Sequence, residues 1–231
     1  MYRQLRKKER RTKFFVYLIA GIVVIIVTVI IFYYPKYTAQ KEKKHLEELI
    51  ENYSNPEQAR KWVSSAEEKL SDSDLSNDNK GYFEYGFAYY QFKEFDKAID
   101  YFKKALEKNP KDITSLKNTA NSYKELGEYE KSEEYFKKIV EIDSTRADIY
   151  IEIATLYWHH MDKKDEVQEI ISKGLVANPD NPDLLSFLAS FYKDTGEKKK
   201  ALQYYEEVLK VNPDNEGAKI EVEKLKKELE D

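Results

Sequence analysis

The chain has 231 residues, with 39 lysines and arginines against 43 aspartates and glutamates, and a formal charge of -4. It has no cysteine, which excludes disulfides, thiolate zinc sites, iron–sulfur clusters and cysteine nucleophiles. Residues 1–13 hold seven Lys/Arg and one Glu, residues 14–35 hold no charge, and the remainder carries -10 with no basic stripe, which argues against nucleic-acid binding.

The first predicted element is the uninterrupted apolar run from Phe14 to Tyr34. At about 1.5 Å per residue its 21 residues make a helix of roughly 31 Å, the thickness of a bilayer's hydrocarbon core. Fifteen of them are Phe, Val, Leu or Ile, and Tyr17, Tyr33 and Tyr34 sit near the ends, where amphipathic rings prefer the interface. A cleaved signal peptide would have a shorter apolar core followed by small residues; here Tyr33-Tyr34-Pro35-Lys36 follows, and an uncleaved single-pass transmembrane helix is the expectation. The leading basic tail outweighs Lys36, Lys41, Lys43 and Lys44 on the trailing side. That bias places the N-terminus in the cytoplasm and the C-terminal domain outside it, periplasmic or extracellular.

Pro35 marks a place where this helix should end or restart. Leu46, Leu49, Ile50 and Tyr53 then form one apolar stripe of a helix over 36–53. Asn55-Pro56 starts a second helix, with Ala59, Trp62 or Val63, Ala66 and Leu70 as its stripe. Residues 35–78 are thus predicted to be a helical hairpin, a degenerate repeat, closed by the acidic linker SDSDLSND at 71–78.

From residue 79 the chain is periodic. Tyr89, Tyr123, Tyr157 and Tyr192 recur at intervals of 34, 34 and 35 residues. Gly86, Ala120, Ala154 and Ala189 keep the same step, as do Ala98, Ser132, Val167 and Ala201, and Phe102, Phe136, Ile171 and Tyr205. Such a period means one helix pair repeated, each copy burying the face its neighbour exposes. Four units are predicted at 79–112, 113–146, 147–181 and 182–215. Gly127 and Gly196 stand in the turn within a unit, and Asn109-Pro110, Asn178-Pro179 and Asn212-Pro213 end second helices. Unit three has one extra residue between Tyr157 and Val167, no glycine in its turn WHHMDKK, and Val167 and Gly174 in two alanine columns; it is expected to be looser or locally distorted.

This pattern resembles the tetratricopeptide repeat (TPR) family. The columns are Gly86, Tyr89, Ala98, Phe102, Ala105, Leu106 and Pro110, then Ala120, Tyr123, Gly127, Tyr129 and Phe136, then Ala189, Tyr192, Gly196, Ala201, Tyr205, Leu209 and Pro213. The resemblance covers about residues 79–215. It implies an all-α fold, an α-solenoid of helix pairs with a concave groove, ended by a capping helix over 216–231 with Ala218, Val222, Leu225 and Leu229 on one side. It further implies that the groove is lined by first helices: Phe83, Phe87 and Tyr90; Lys117, Asn121 and Lys124; Ile151, Thr155 and Trp158; Ser186, Ser190 and Lys193. Some family members clamp a C-terminal carboxylate there. Lys117 and Asn121 match the first pair of that clamp, but Glu152, Asp183 and Ser186 fall where Asn, Lys and Arg are needed, and the acids would repel a carboxylate.

The expected function is therefore a membrane-tethered scaffold or adaptor that holds a partner protein or peptide in the groove and supports assembly of a membrane-associated complex. The alternative is a cytosol-facing targeting receptor or co-chaperone docking module. The expected contacts are a protein or peptide ligand and, through 14–34, the lipid bilayer. No enzyme activity, catalytic residue, cofactor or metal is expected: phosphate loops, dinucleotide fingerprints and hydrolase elbows are missing from the sequence, and His159-His160 point about 100° apart on a helix.

Overall fold

The computed structural model describes residues 18–71 and 79–230. The basic tail, the first four residues of the apolar run and all but the first residue of the acidic linker lie outside the described residues. The chain forms two compact parts, one up to Arg60 and one from Lys61. All regular structure among the described residues is helical.

The first part is dominated by one helix, α1 (Leu18–Asn52). It is long and apolar enough to cross a membrane, and its apolar window buries nothing against the protein. Pro35 does not end it. A proline ring clashes with the carbonyl four residues back and supplies no N–H. The helix absorbs this by widening to a π turn over Val29–Tyr33, closed by the Tyr34 N–H donating to the Val29 carbonyl. The expected break is thus a local widening. Leu46 and Ile50 are buried, as is Ala59 on α2 (Pro56–Ser71), and Arg60 bridges Glu47 and Glu51.

The second part runs on through helix pairs: α3 (Lys80–Gln91) and α4 (Phe95–Lys108), α5 (Ile113–Glu125) and α6 (Tyr129–Ile142), α7 (Ala147–His159) and α8 (Lys164–Ala177), α9 (Pro182–Asp194) and α10 (Lys198–Val211). The last helix is α11 (Glu216–Glu230). The fold is an all-α TPR-type solenoid. Its core is the set of repeat columns. Ala98, Phe102, Ala120, Phe136, Ala154, Val167, Ile171, Ala189 and Ala201 are fully buried, and the four column tyrosines are 0–6% exposed. On α11 Ala218, Val222 and Leu225 are buried, whereas Leu229 is 38% exposed.

Helix ends follow local chemistry. Asn109, Asp143, Asn178 and Asn212 share nearly the same non-helical backbone. Proline follows three of them; at Asp143 the carboxylate instead accepts from the Thr145 N–H and hydroxyl. Asp112, Asn181 and Asn215 cap the next helices by accepting their N–H groups.

Small residues are set by contact. A Cβ on Gly86 would come within 2.5 Å of the Phe102 ring, itself fully buried. Gly86→Ala should therefore destabilise the protein by about 1–3 kcal/mol, the cost of overpacking a tight core. Loss of thermal stability followed by circular dichroism checks this, and an unchanged melting temperature would refute the tight approach of α3 to α4. In unit three a Cβ on Gly174 would come within 2.9 Å of the Tyr150 ring. This glycine makes room for a tyrosine, so its departure from alanine does not loosen the unit.

The extra residue of unit three is confined to its turn. In the other units Glu94, Glu128 and Glu197 donate their N–H back to the carbonyls of Tyr89, Tyr123 and Tyr192 at 2.8–2.9 Å. Lys163 makes the same bond to Tyr157 at 3.0 Å, one residue later. The inserted residue bulges out before this closure, with Asp162 taking φ +52, where Gly127 and Gly196 have +77 and +83. The expected loosening of the unit is therefore a turn distortion alone, because closure is conserved on either side of the bulge.

Candidate functional site

The first helices present the candidate site, and their column tyrosines fix them in place. A lysine lies over each ring: Lys97 on Tyr89 at 5.0 Å, Lys131 on Tyr123 at 5.2 Å, Lys163 on Tyr157 at 4.9 Å and Lys200 on Tyr192 at 4.6 Å. In unit three the repeat position of these lysines is Glu166, and the lengthened turn delivers Lys163 instead. The hydroxyls reach back to the preceding unit. Tyr157 donates to Glu133 at 2.6 Å and Tyr192 donates to Gln168.

Glu133 is a buried carboxylate with three donors: Tyr157, Lys163 at 3.1 Å and Lys137 at 2.5 Å. Burial alone would raise its pKa, but the bonds from Lys137, Tyr157 and Lys163 outweigh burial and hold it below the usual carboxylate range. Burial, then the hydrogen bond to Glu133, pushes the Tyr157 phenol up.

A cavity of about 590 Å³ opens among α2, α3 and α5, the size of a small-ligand or side-chain pocket. Its walls are aromatic. Phe87 meets Trp62 edge to face at 5.6 Å, and Phe83 stacks on Phe87 at 6.5 Å. Lys61, Ser65 and Glu84 line it from α2 and α3, and Thr114 and Asn118 from α5. One Glu84 oxygen pairs with Lys69; the other, Oε2, is buried with no hydrogen-bond partner. Phe83 also leans on Phe102 at 5.6 Å, so it is half wall and half core.

The remaining predicted groove residues are mostly engaged. Tyr90 lies outside the cavity, edge-on to Phe95 at 5.4 Å, and its phenol is raised by burial, then by Glu125 and Glu152. Lys117 binds Asp148 and Lys124 binds Glu152, both at 2.8 Å, so two lysines of α5 are spent on α7. The guanidinium of Arg146 also bonds Asp148; that contact, joined by Lys117, lowers the carboxyl to about 2. Lys193 binds Glu221 at 3.0 Å. The clamp arrangement has no free cation at Lys117, which is already held by Asp148. Asn121 Oδ1 is buried without a partner. Thr155 donates to the carbonyl of Ile151, and the hydroxyls of Ser190 and Tyr205 are 3.2 Å apart. Trp158 is drawn into packing with the next unit, edge-on to Phe187 at 5.8 Å and Phe191 at 5.3 Å. Ile151 packs half-buried against the core and Ser186 is half-buried.

Of the predicted residues, then, Phe83 and Phe87 meet in this cavity. Trp62, Ser65, Glu84, Thr114 and Asn118 join them there without having been singled out. The sequence signal for Trp62 was its competition with Val63 for one place in the α2 stripe. Val63 is the buried one, at 6% exposure, which turns Trp62 toward the cavity.

Models of the tetratricopeptide repeat match residues 80–112, 101–134 and 182–215. No curated protein sequence matches the chain. Among solved structures it is similar to the MamA protein, at 24% identity and TM-score 0.51 over 64% of this chain and 80% of that one. It is also similar to YrrB, described as a TPR protein with an unusual peptide-binding site, at 16% identity and TM-score 0.51 over 74% and 85%. A thermophilic TPR protein of Thermus thermophilus matches at 16% identity and TM-score 0.50 over 71% and 88%. At these identities the structures speak for the fold, whereas the repeat models match this chain's own residues. Residues 80–134 and 182–215 are thus tetratricopeptide repeats, within a chain whose fold is that of the solved repeat proteins.

Proposed function

We propose that this TPR protein is a membrane-tethered adaptor, with four repeat units at 79–112, 113–146, 147–181 and 182–215. In this reading residues 14–34 hold it in a bilayer and the first-helix face holds a segment of a partner protein, supporting a membrane-associated complex. The aromatic cavity between Trp62, Phe83 and Phe87 carries the reading: it is concave, mostly apolar and rimmed by polar groups, the anatomy of an anchor pocket for a side chain. Tethering supports it physically, because confinement to a surface raises effective concentration and lets a weak contact suffice.

The test is capture of partners from native membranes by the full chain and by the triple variant Phe83→Ala, Phe87→Ala, Tyr90→Ala. Capture should fall at least about tenfold, since anchors of this kind each carry more than about 1.4 kcal/mol. Circular dichroism must first show an intact fold, because Phe83 touches Phe102. Undiminished capture by a folded triple variant would sink the groove assignment. The flanking charges favour a domain outside the cytoplasm, and the opposite topology would make the chain a cytosol-facing receptor. Protease added to cells with a permeabilised outer envelope separates the two: digestion of the domain supports the first, protection the second.

A further inference from the structure

The helix does not stop where its charge begins. Because α1 runs unbroken through Pro35 to Asn52, Lys36, Lys41, Lys43 and Lys44 ride on the same rod as the apolar window. At about 1.5 Å per residue they stand roughly 3 to 15 Å beyond Tyr34 along its axis. A headgroup layer is about 5–8 Å deep, and the field of an anionic surface reaches about 8 Å farther at physiological salt. The lysines of an anchored chain therefore lie within that field.

Their placement around the axis is one-sided. At about 100° per residue the four lysines, Tyr37 and Gln40 fall inside one arc of about 160°. All six are exposed, and Tyr37, Gln40, Lys41, Lys43 and Lys44 line one surface recess. The opposite side is the covered one: Thr38, Glu42, His45 and Leu49 are half-buried, and Leu46 and Ile50 are buried. Residues 35–46 hold four lysines and one acid, Glu42, and that acid stands on the covered side. The acids that follow on the lysine side are engaged. Glu48 lies 3.8 Å from Lys44, and Arg60 bridges Glu47 and Glu51.

We propose that this face docks on anionic phospholipid headgroups of the leaflet from which the helix emerges, leaning α1 toward its lysine side. The proposal rests on the membrane anchor of the reading above and adds the lipid that the anchor recognises. Lysine stems lie along the helix while their ammonium groups reach phosphate, and the ring of Tyr37 suits the interface. An acidic protein segment would meet the same charge, but the bilayer is already beside these lysines at high effective concentration. Lysines spread around the axis would hold the helix upright; lysines on one side tilt it.

The chain has no cysteine, so a single nitroxide can be attached without background. The experiment places one at Gln40→Cys, within the lysine arc, or at Thr38→Cys, about 160° round the helix. Each full chain is put in nanodiscs of phosphatidylcholine alone or with about one-third phosphatidylglycerol. The ratio of label accessibility to oxygen over that to a neutral nickel chelate reports approach to the bilayer. The expected result is a ratio at Gln40 that rises at least about threefold with phosphatidylglycerol, while Thr38 shows no rise. The rise should vanish in about 0.5 M NaCl, which screens the attraction. It should also vanish when Lys36→Gln, Lys41→Gln, Lys43→Gln and Lys44→Gln are combined, which leaves the basic tail intact. Equal ratios in the two lipids, or a rise at both positions, overturn the docking and leave the anchor standing. A rise that survives the four substitutions assigns the effect to the tail and overturns it too. Failure of the chain to enter nanodiscs overturns both.

Discussion

Arginine at both Val24 and Ile25 should release the protein from membranes. In the proposed anchor the fifteen Phe, Val, Leu and Ile residues of 14–34 contribute about -0.3 to -0.6 kcal/mol each, summing to roughly -5 to -9 kcal/mol for insertion. Each arginine near the centre of the span costs about 2.5 to 3.5 kcal/mol, and each substitution also removes one favourable side chain. Two together bring insertion to about zero or beyond. Val24 and Ile25 are each 64% exposed, so among the described residues neither new charge is sheltered. Carbonate extraction should find the wild type wholly in the membrane pellet and a large fraction of the double variant in the supernatant. Lysines at Glu47 and Glu48, beyond the span, should leave it in the pellet. Retention of the arginine variant after carbonate would refute a single membrane-spanning anchor.

How far the sequence could be read depended on how many residues voted together. Four columns in register made the helix pairs plain, because each burial position was sampled four times; Phe102, Phe136 and Ile171 are as buried as their columns required. Positions sampled once were harder. Pro35 is a helix breaker by local rule, yet a π turn one step upstream absorbs it, and nothing in the sequence announces that accommodation. Leu229 continues the α11 stripe by spacing, but a stripe does not say how completely each of its members is covered, and Leu229 is 38% exposed. The groove was the least legible part. Whether a first-helix lysine binds a partner or an acid one unit on depends on contacts 28 to 31 residues away, as at Lys117 and Lys124. Trp62 escaped for a related reason: its neighbour Val63 satisfies the same stripe, so only the packed helix decides which of them faces inward.

The extra residue of unit three is the sequence feature whose consequence the structure narrows to a distorted turn, and it yields the largest stability effect. By count it is an irregularity; in space it carries Lys163 onto both Tyr157 and Glu133. Replacing Lys137 and Lys163 together by methionine should destabilise the protein by about 3 kcal/mol, the lower end of the cost of breaking a buried ion pair, because both lysines approach Glu133 from the solvent side. Glu133 would then keep only the Tyr157 hydroxyl as a donor. The pH dependence gives the cause away. In the wild type the Glu133 pKa is below its unfolded value, so its contribution is fully present at neutral pH and is lost as pH falls through the folded value. Without the lysines burial dominates and the folded pKa rises above the unfolded one. The sign inverts: the variant is handicapped at neutral pH and recovers part of the difference as the carboxyl takes up a proton. Adding Glu133→Gln to the double variant should restore most of the lost stability at pH 7, because a neutral amide carries no buried charge and still accepts from Tyr157. Denaturant unfolding of the three variants at pH 7 and pH 4 decides it. If the double variant loses the same stability at both pH values, and the glutamine recovers none of it, packing of the lysine stems and not the buried carboxylate explains the turn.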